Sequence, residues 1–172
     1  DLEQMRREAT FDIERCRELE RELKHDVVAF TTNVSEEIGE PANRWLHYGL
    51  TSSDILDTAT AVRLVESIDI LLEDLRALRE AIAVRAKEHK HTPMIGRSHG
   101  IHAEPTTFGL KMALMYDEFG RAIQRLEDSR RSVAVGKLSG AVGTSAHLDP
   151  EIERFVCQRL GLEAAPIATQ VV

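Results

Sequence analysis

From Ile55 onward, apolar residues recur at positions 55, 59, 62, 65, 68, 72, 75, 78, 82 and 86, always three or four apart. That spacing is the stripe of one amphipathic helix, and no Gly or Pro interrupts it. At ~1.5 Å per residue, a helix over about 53 to 89 would be roughly 55 Å long. That exceeds the width of a small domain and predicts a bundle, assembled from more than one chain. A second stripe, Phe108, Met112, Met115, Phe119, Ala122 and Leu126, steps 4, 3, 4, 3, 4 through a segment reaching about residue 134. It should pack antiparallel to the first.

Residues 1–24 are dense in Glu, Arg and Leu and predict one helix, and "HDVVAFTTNVSEEIGE" a shorter one. "EPANRWLHYGLTSSD" breaks the pattern with Pro41 and Gly49 and reads as a loop ending at a helix start. Beyond the second stripe, "GKLSGAVGTSAH" is glycine-rich and reads as a flexible turn. Asp149-Pro150 then starts a helix that should end near Gly161, and "EAAPIATQVV" leads toward a further bundle helix. The one strand signal is a short hairpin around 133–143. The class is all-α, a long-helix bundle.

Composition narrows the function classes. The 172 residues are 42% hydrophobic and 30% charged, with a formal net charge of −7 spread over mixed-sign stretches. No broad nucleic-acid or membrane footprint is expected, so an anionic ligand must meet a local site. Cys16 and Cys157 are far apart, without CxxC spacing, which points to a reducing, cytoplasmic setting and no disulfide framework. No apolar run approaches the roughly 20 residues of a membrane span. The chain opens at Asp1 inside a charged helical pattern and stops at "ATQVV" without a capping signal, so a fragment of a longer polypeptide is expected.

Four clusters could carry chemistry. Lys24-His25-Asp26 reads either as a ligand-binding triplet or as a charged helix end offsetting the dipole. In "HYGLTSSD", Thr51, Ser52 and Ser53 stand where free N–H groups and hydroxyls can bind an anion, or simply cap a helix. "HKHTPMIGRSHGIHAEP" gathers His89, His91, His99 and His102. It lacks the compact spacing of zinc sites, so no metal is expected, and His99 between Ser98 and Gly100 suits a general acid. Gly136, Gly140 and Gly143 with Lys137 lack the GxxxxGK[ST] phosphate-loop spacing.

Together, "KHDVVAF", "HYGLTSSDILDTA", "GRSHGIHAEPTTFG", "KLSGAVGTSAHLDP" and "ATQVV" resemble the adenylosuccinate lyase branch of the fumarase/aspartase superfamily. The resemblance covers essentially the whole chain. It implies cofactor-free β-elimination of fumarate from succinyl-purine nucleotides, in homotetramers whose long helices form a central bundle. It makes His99 the general acid, with Ser98 beside it on the substrate. Lys24, His25, Asp26, His47, Thr51, Ser52 and Gln170 become substrate-binding residues. The family often has Arg at the position of Lys24 and commonly Thr at that of Ser98, and Lys lacks Arg's bidentate fork. Its catalytic base is a serine on a loop far toward the C-terminus, with no counterpart here, so this chain alone is expected to be inactive. The resemblance further implies that residues 1–50 end an N-terminal helical domain, that 51–172 begin the central bundle domain, and that family sites combine segments from three subunits.

Overall fold

The computed structural model describes residues 1–172. Contacts group residues 1–60 with 135–172 in one unit and residues 61–134 in another.

In the first unit, the stretch expected as one helix is two, α1 (Leu2–Glu8) and α2 (Ile13–Leu23). The break has a local and a tertiary cause. Asp12 caps α2 by accepting from Arg15 N–H at 2.8 Å, and its own N–H donates at 2.8 Å to the buried Asn33 Oδ1. Helix α3 (Asp26–Ile38) buries Val27, Ala29, Val34 and Ile38, each large side chain contributing about 1.5–3 kcal/mol by leaving water. A 3-10 turn (Ala42–Trp45) leads to α4 (Ser52–Glu88), whose first residues belong to this unit.

Strand β3 (Val135–Gly136) pairs in parallel with β4 (Glu163–Ala164), after α6 (Pro150–Arg159). The hairpin expected around 133–143 is therefore not formed. Gly136 is required by packing: a Cβ there would lie 3.0 Å from Cys157 Sγ and 3.1 Å from Thr58 Cγ2. The buried Cys157 thiol is pushed up from its usual range by burial and then by Glu153, against a hydrogen bond from Gly136.

In the second unit, the remainder of α4 runs antiparallel to α5 (Phe108–Val133). Asp69 receives both arms of Arg130 at 2.6 and 2.8 Å, and Arg76 pairs with Glu127 at 2.6 Å. Arg79 donates to the Tyr116 carbonyl and lies 3.8 Å over its ring. A Cβ on Gly109 would fall 2.6 Å from the Ala86 carbonyl oxygen, so the backbones approach there closely enough to require glycine. The second stripe is the half-buried inner face of α5.

The first stripe needs correction at two points. Ala59 and Leu78 are exposed, and the buried line at the start of α4 runs through Asp54, Thr58 and Ala61. The segment between the long helices is an antiparallel hairpin, β1 (Pro93–Ser98) with β2 (Ile101–Thr107), irregular between Ile95 and Arg97. Gly96 sits at that irregularity, where a Cβ would come 2.6 Å from the Glu104 carbonyl oxygen.

Candidate active site

Lys24 ends α2 in the left-handed region, φ 57°, and its side chain is exposed. His25 then caps α3 through Nδ1, which accepts from Val28 N–H at 3.4 Å. With that lone pair engaged, the proton of the neutral ring sits on Nε2, which lies 3.4 Å from Ser52 Oγ at the first turn of α4. Asp26 Oδ1 is 3.3 Å from His25 Nδ1. The triplet thus lies at a helix junction, and its His25 also meets a second candidate segment at Ser52.

Helix α4 begins under a constraint that apolar spacing does not reveal. The Asp54 carboxylate reaches back to Thr51 N–H at 2.8 Å, the reverse half of a capping box. It also accepts from Ser139 N–H at 3.1 Å, Gly140 N–H at 3.2 Å and Lys137 Nζ at 2.5 Å. Both side chains of the Asp54–Lys137 pair have no exposed surface. Thr58 exchanges two hydrogen bonds with the Lys137 backbone, at 2.9 and 3.0 Å, and Leu138 N–H donates to Glu153 at 2.7 Å. The N–H groups of residues 137–140 therefore all have partners. The glycine-rich segment expected as a flexible turn is a pinned one, and the anion it holds is the protein's own carboxylate.

The remaining candidates of this unit lie around the same turn. His47 takes φ 62°, and its Nε2 is buried without a hydrogen-bond partner. Gly49 packs where a Cβ would be 3.0 Å from the Leu148 side chain. A Cβ on Gly143 would overlap the Ala168 carbonyl, and Val172 N–H donates to Asp57 at 2.9 Å, which draws the tail carrying the exposed Gln170 to the start of α4. His25, Thr51, Ser52 and the Gln170 tail are thus gathered on one helix start.

Ser98 and His99 belong to the second unit. His99, φ 53°, and Gly100, φ 76°, form the two-residue turn of the hairpin, and both candidate side chains are exposed. Positive φ at both central positions is what such a turn needs. Lys24, His47 and His99 are three of only four non-glycine residues with positive φ, and strained backbone of this kind clusters at functional positions. A separate groove of about 740 Å³ beside the hairpin is lined by Met94, Ile95, Arg97, Leu110 and Leu114, and by none of the candidates.

Sequence reasoning missed Lys137 and Asp54. The available signal was Asp54 and Thr58 at i, i+4 on the buried line of α4, together with a lysine flanked by small residues.

A long antiparallel helix pair, a hairpin with histidine at its tip and a hydroxyl-rich helix start together define the class. The model of the Lyase family matches residues 1–171, and the chain belongs to that family. The particular likeness is to adenylosuccinate lyases. Identity is 54% over 170 residues with that of Bacillus subtilis (strain 168), covering 99% of this chain and 39% of that protein. With that of Staphylococcus saprophyticus it is 50%, at the same coverage. Among solved structures, the fumarate lyase of Mesorhizobium sp. BNC1 superposes with TM-score 0.87 at 33% identity, over 95% of this chain and 39% of that one. The 3-carboxy-cis,cis-muconate lactonizing enzyme of Pseudomonas putida gives 0.84 at 27% identity, over 91% and 37%. The chain spans 39% of the length of these curated relatives.

Proposed function

We propose that this chain is part of an adenylosuccinate lyase, a C–N lyase. It would eliminate fumarate from adenylosuccinate, giving AMP, and from succinyl-aminoimidazole-carboxamide ribotide, giving AICAR. The observation that carries the reading is the meeting of His25 Nε2 and Ser52 Oγ, 3.4 Å apart, at the start of α4. The identity of 54% with an enzyme of that name supports the same choice.

In this reaction a base removes the proton on the carbon beside a carboxylate. The electron pair forms the double bond of fumarate, the C–N bond breaks, and an acid protonates the departing nitrogen. His99 is the proposed acid, and its turn geometry projects it from a β-hairpin. Ser98 contacts substrate beside it. Thr51, Ser52 and Lys24 hold the carboxylates and phosphate, aided by the free N–H groups of α4, and His25, Asp26, His47 and Gln170 bind the substrate beside them, Asp26 as an acceptor only. The base is a serine outside these 172 residues, so the chain by itself releases no fumarate. The working enzyme is a cytoplasmic homotetramer needing no cofactor, with residues 1–50 closing its N-terminal domain and 51–172 opening the central bundle.

The likeness to a fumarate lyase structure favours a second reading, a superfamily lyase with a smaller succinyl-like substrate. Turnover of adenylosuccinate by the full-length lyase, followed by fumarate absorbance, together with AMP binding, tests the choice. Absence of both overturns it.

A further inference from the structure

Helix α4 offers Ser52 and Ser53 N–H and three hydroxyls to an anion, yet a carboxylate, Asp54, sits in the same turn. A negative charge there would cancel the favourable potential of the helix start and repel a substrate that carries two carboxylates and a phosphate. Lys137 removes that obstacle. Its ammonium contacts Asp54 at 2.5 Å with both side chains fully buried, and the 137–140 turn supplies two further N–H donors. Stability alone does not require the pair, since apolar residues of similar volume commonly replace buried ion pairs without loss.

We propose that Lys137 is a positioning residue for the anionic substrate: it neutralises and clamps Asp54, so that Thr51, Ser52 and the first N–H groups of α4 stay receptive. This rests on the reading of that helix start as part of the substrate site. The charge is what matters, so the sign of the effect should depend on whether Asp54 keeps its own.

The test compares full-length wild type, Lys137→Met and Asp54→Asn/Lys137→Met, with circular dichroism and gel filtration as the check on folding. In folded Lys137→Met, KM for adenylosuccinate should rise about tenfold or more while kcat stays within about threefold. In the double variant, where both charges are gone, KM should return to within about threefold of wild type. A purely structural role would lower stability without this reversal. An unchanged KM in Lys137→Met, or a KM in the double variant as high as in the single, overturns the proposal. Should Lys137→Met not fold, Lys137→Gln, which also removes the charge but can hydrogen-bond Asp54, takes its place under the same criteria. A wild type inert toward adenylosuccinate refutes the substrate reading instead. The three proteins are then compared by protection of Ser52 and Ser53 amides from hydrogen exchange by inorganic phosphate. Protection lost only in Lys137→Met supports the pairing, and equal protection in all three overturns it.

Discussion

His25 joins two helix starts: its Nδ1 caps α3 while its Nε2 faces Ser52 Oγ at the start of α4. One imidazole thereby serves local structure with one nitrogen and the candidate site with the other. The two roles separate by substitution. Asn is a good N-cap but too short to reach Ser52, so His25→Asn should hold stability within about 0.5 kcal/mol, whereas His25→Ala should cost about 1 kcal/mol. Both should lose turnover alike. Urea denaturation beside fumarate release reads the two roles apart, and full turnover in His25→Asn would remove the Nε2 role.

His99 stands on a two-residue turn at φ 53°. Asn tolerates that conformation, so His99→Asn should keep the hairpin and the circular dichroism spectrum of the full-length enzyme while lowering turnover by about 10²–10⁴. Near-normal turnover would exclude His99 as the acid.

Thr58 spends its hydroxyl on both backbone groups of Lys137. Thr58→Val keeps the shape but leaves a buried N–H and C=O unpaired, at a cost of about 1–3 kcal/mol. Thr58→Ser should recover most of it. Equal stability of the Val and wild-type proteins would mean that another donor and acceptor take over.

The long helices were readable because their apolar residues step by three and four over many turns, a pattern that short elements cannot sustain. Hairpin β1–β2 has only 6 and 7 residues, a Pro inside β2 and a His-Gly turn in place of the commoner Asn-Gly, so no alternation announced it. The break between α1 and α2 depends on Asn33, 21 positions away from Asp12, which no local window contains. The start of α4 was misread for a related reason: its buried line is polar, and a template that counts apolar residues steps past Asp54 and Thr58 to the exposed Ala59. For the candidate site, local chemistry raised each motif without choosing among its readings. The resemblance did the choosing, and the residues left without a role, Asp54 and Lys137, are each other's partners 83 positions apart in the chain.

The Asp69–Arg130 pair gives a pH signature. The Arg130 hydrogen bonds hold the Asp69 carboxyl below the usual carboxylate range, against a smaller opposing effect of desolvation. A depressed folded-state value contributes stability that is present above the unfolded range, about pH 4, and lost as pH falls through the folded value. The stability difference between wild type and Arg130→Met should therefore shrink on going from about pH 7 to about pH 2. A pH-independent difference in denaturation midpoints would show that packing alone is lost.

Cys157 is buried with its thiol pushed up, whereas Cys16 is half-buried and donates weakly to Asn33. Iodoacetamide should modify Cys16 first and Cys157 only on unfolding, since the thiolate is the reactive form. Mass spectrometry of the native protein checks the order.

Asp54 and Lys137 lie 83 positions apart. Between them run the rest of α4, the hairpin and all of α5. Closing so long a loop costs chain entropy before the contact returns any energy, so elements held by near neighbours form ahead of it. The topology thus sets an order of assembly in which helices come early and the shape of the α4 start comes late. A nascent chain halted before residue 137 would be helical, and the turn at the start of α4 would still lack the partner that fixes it.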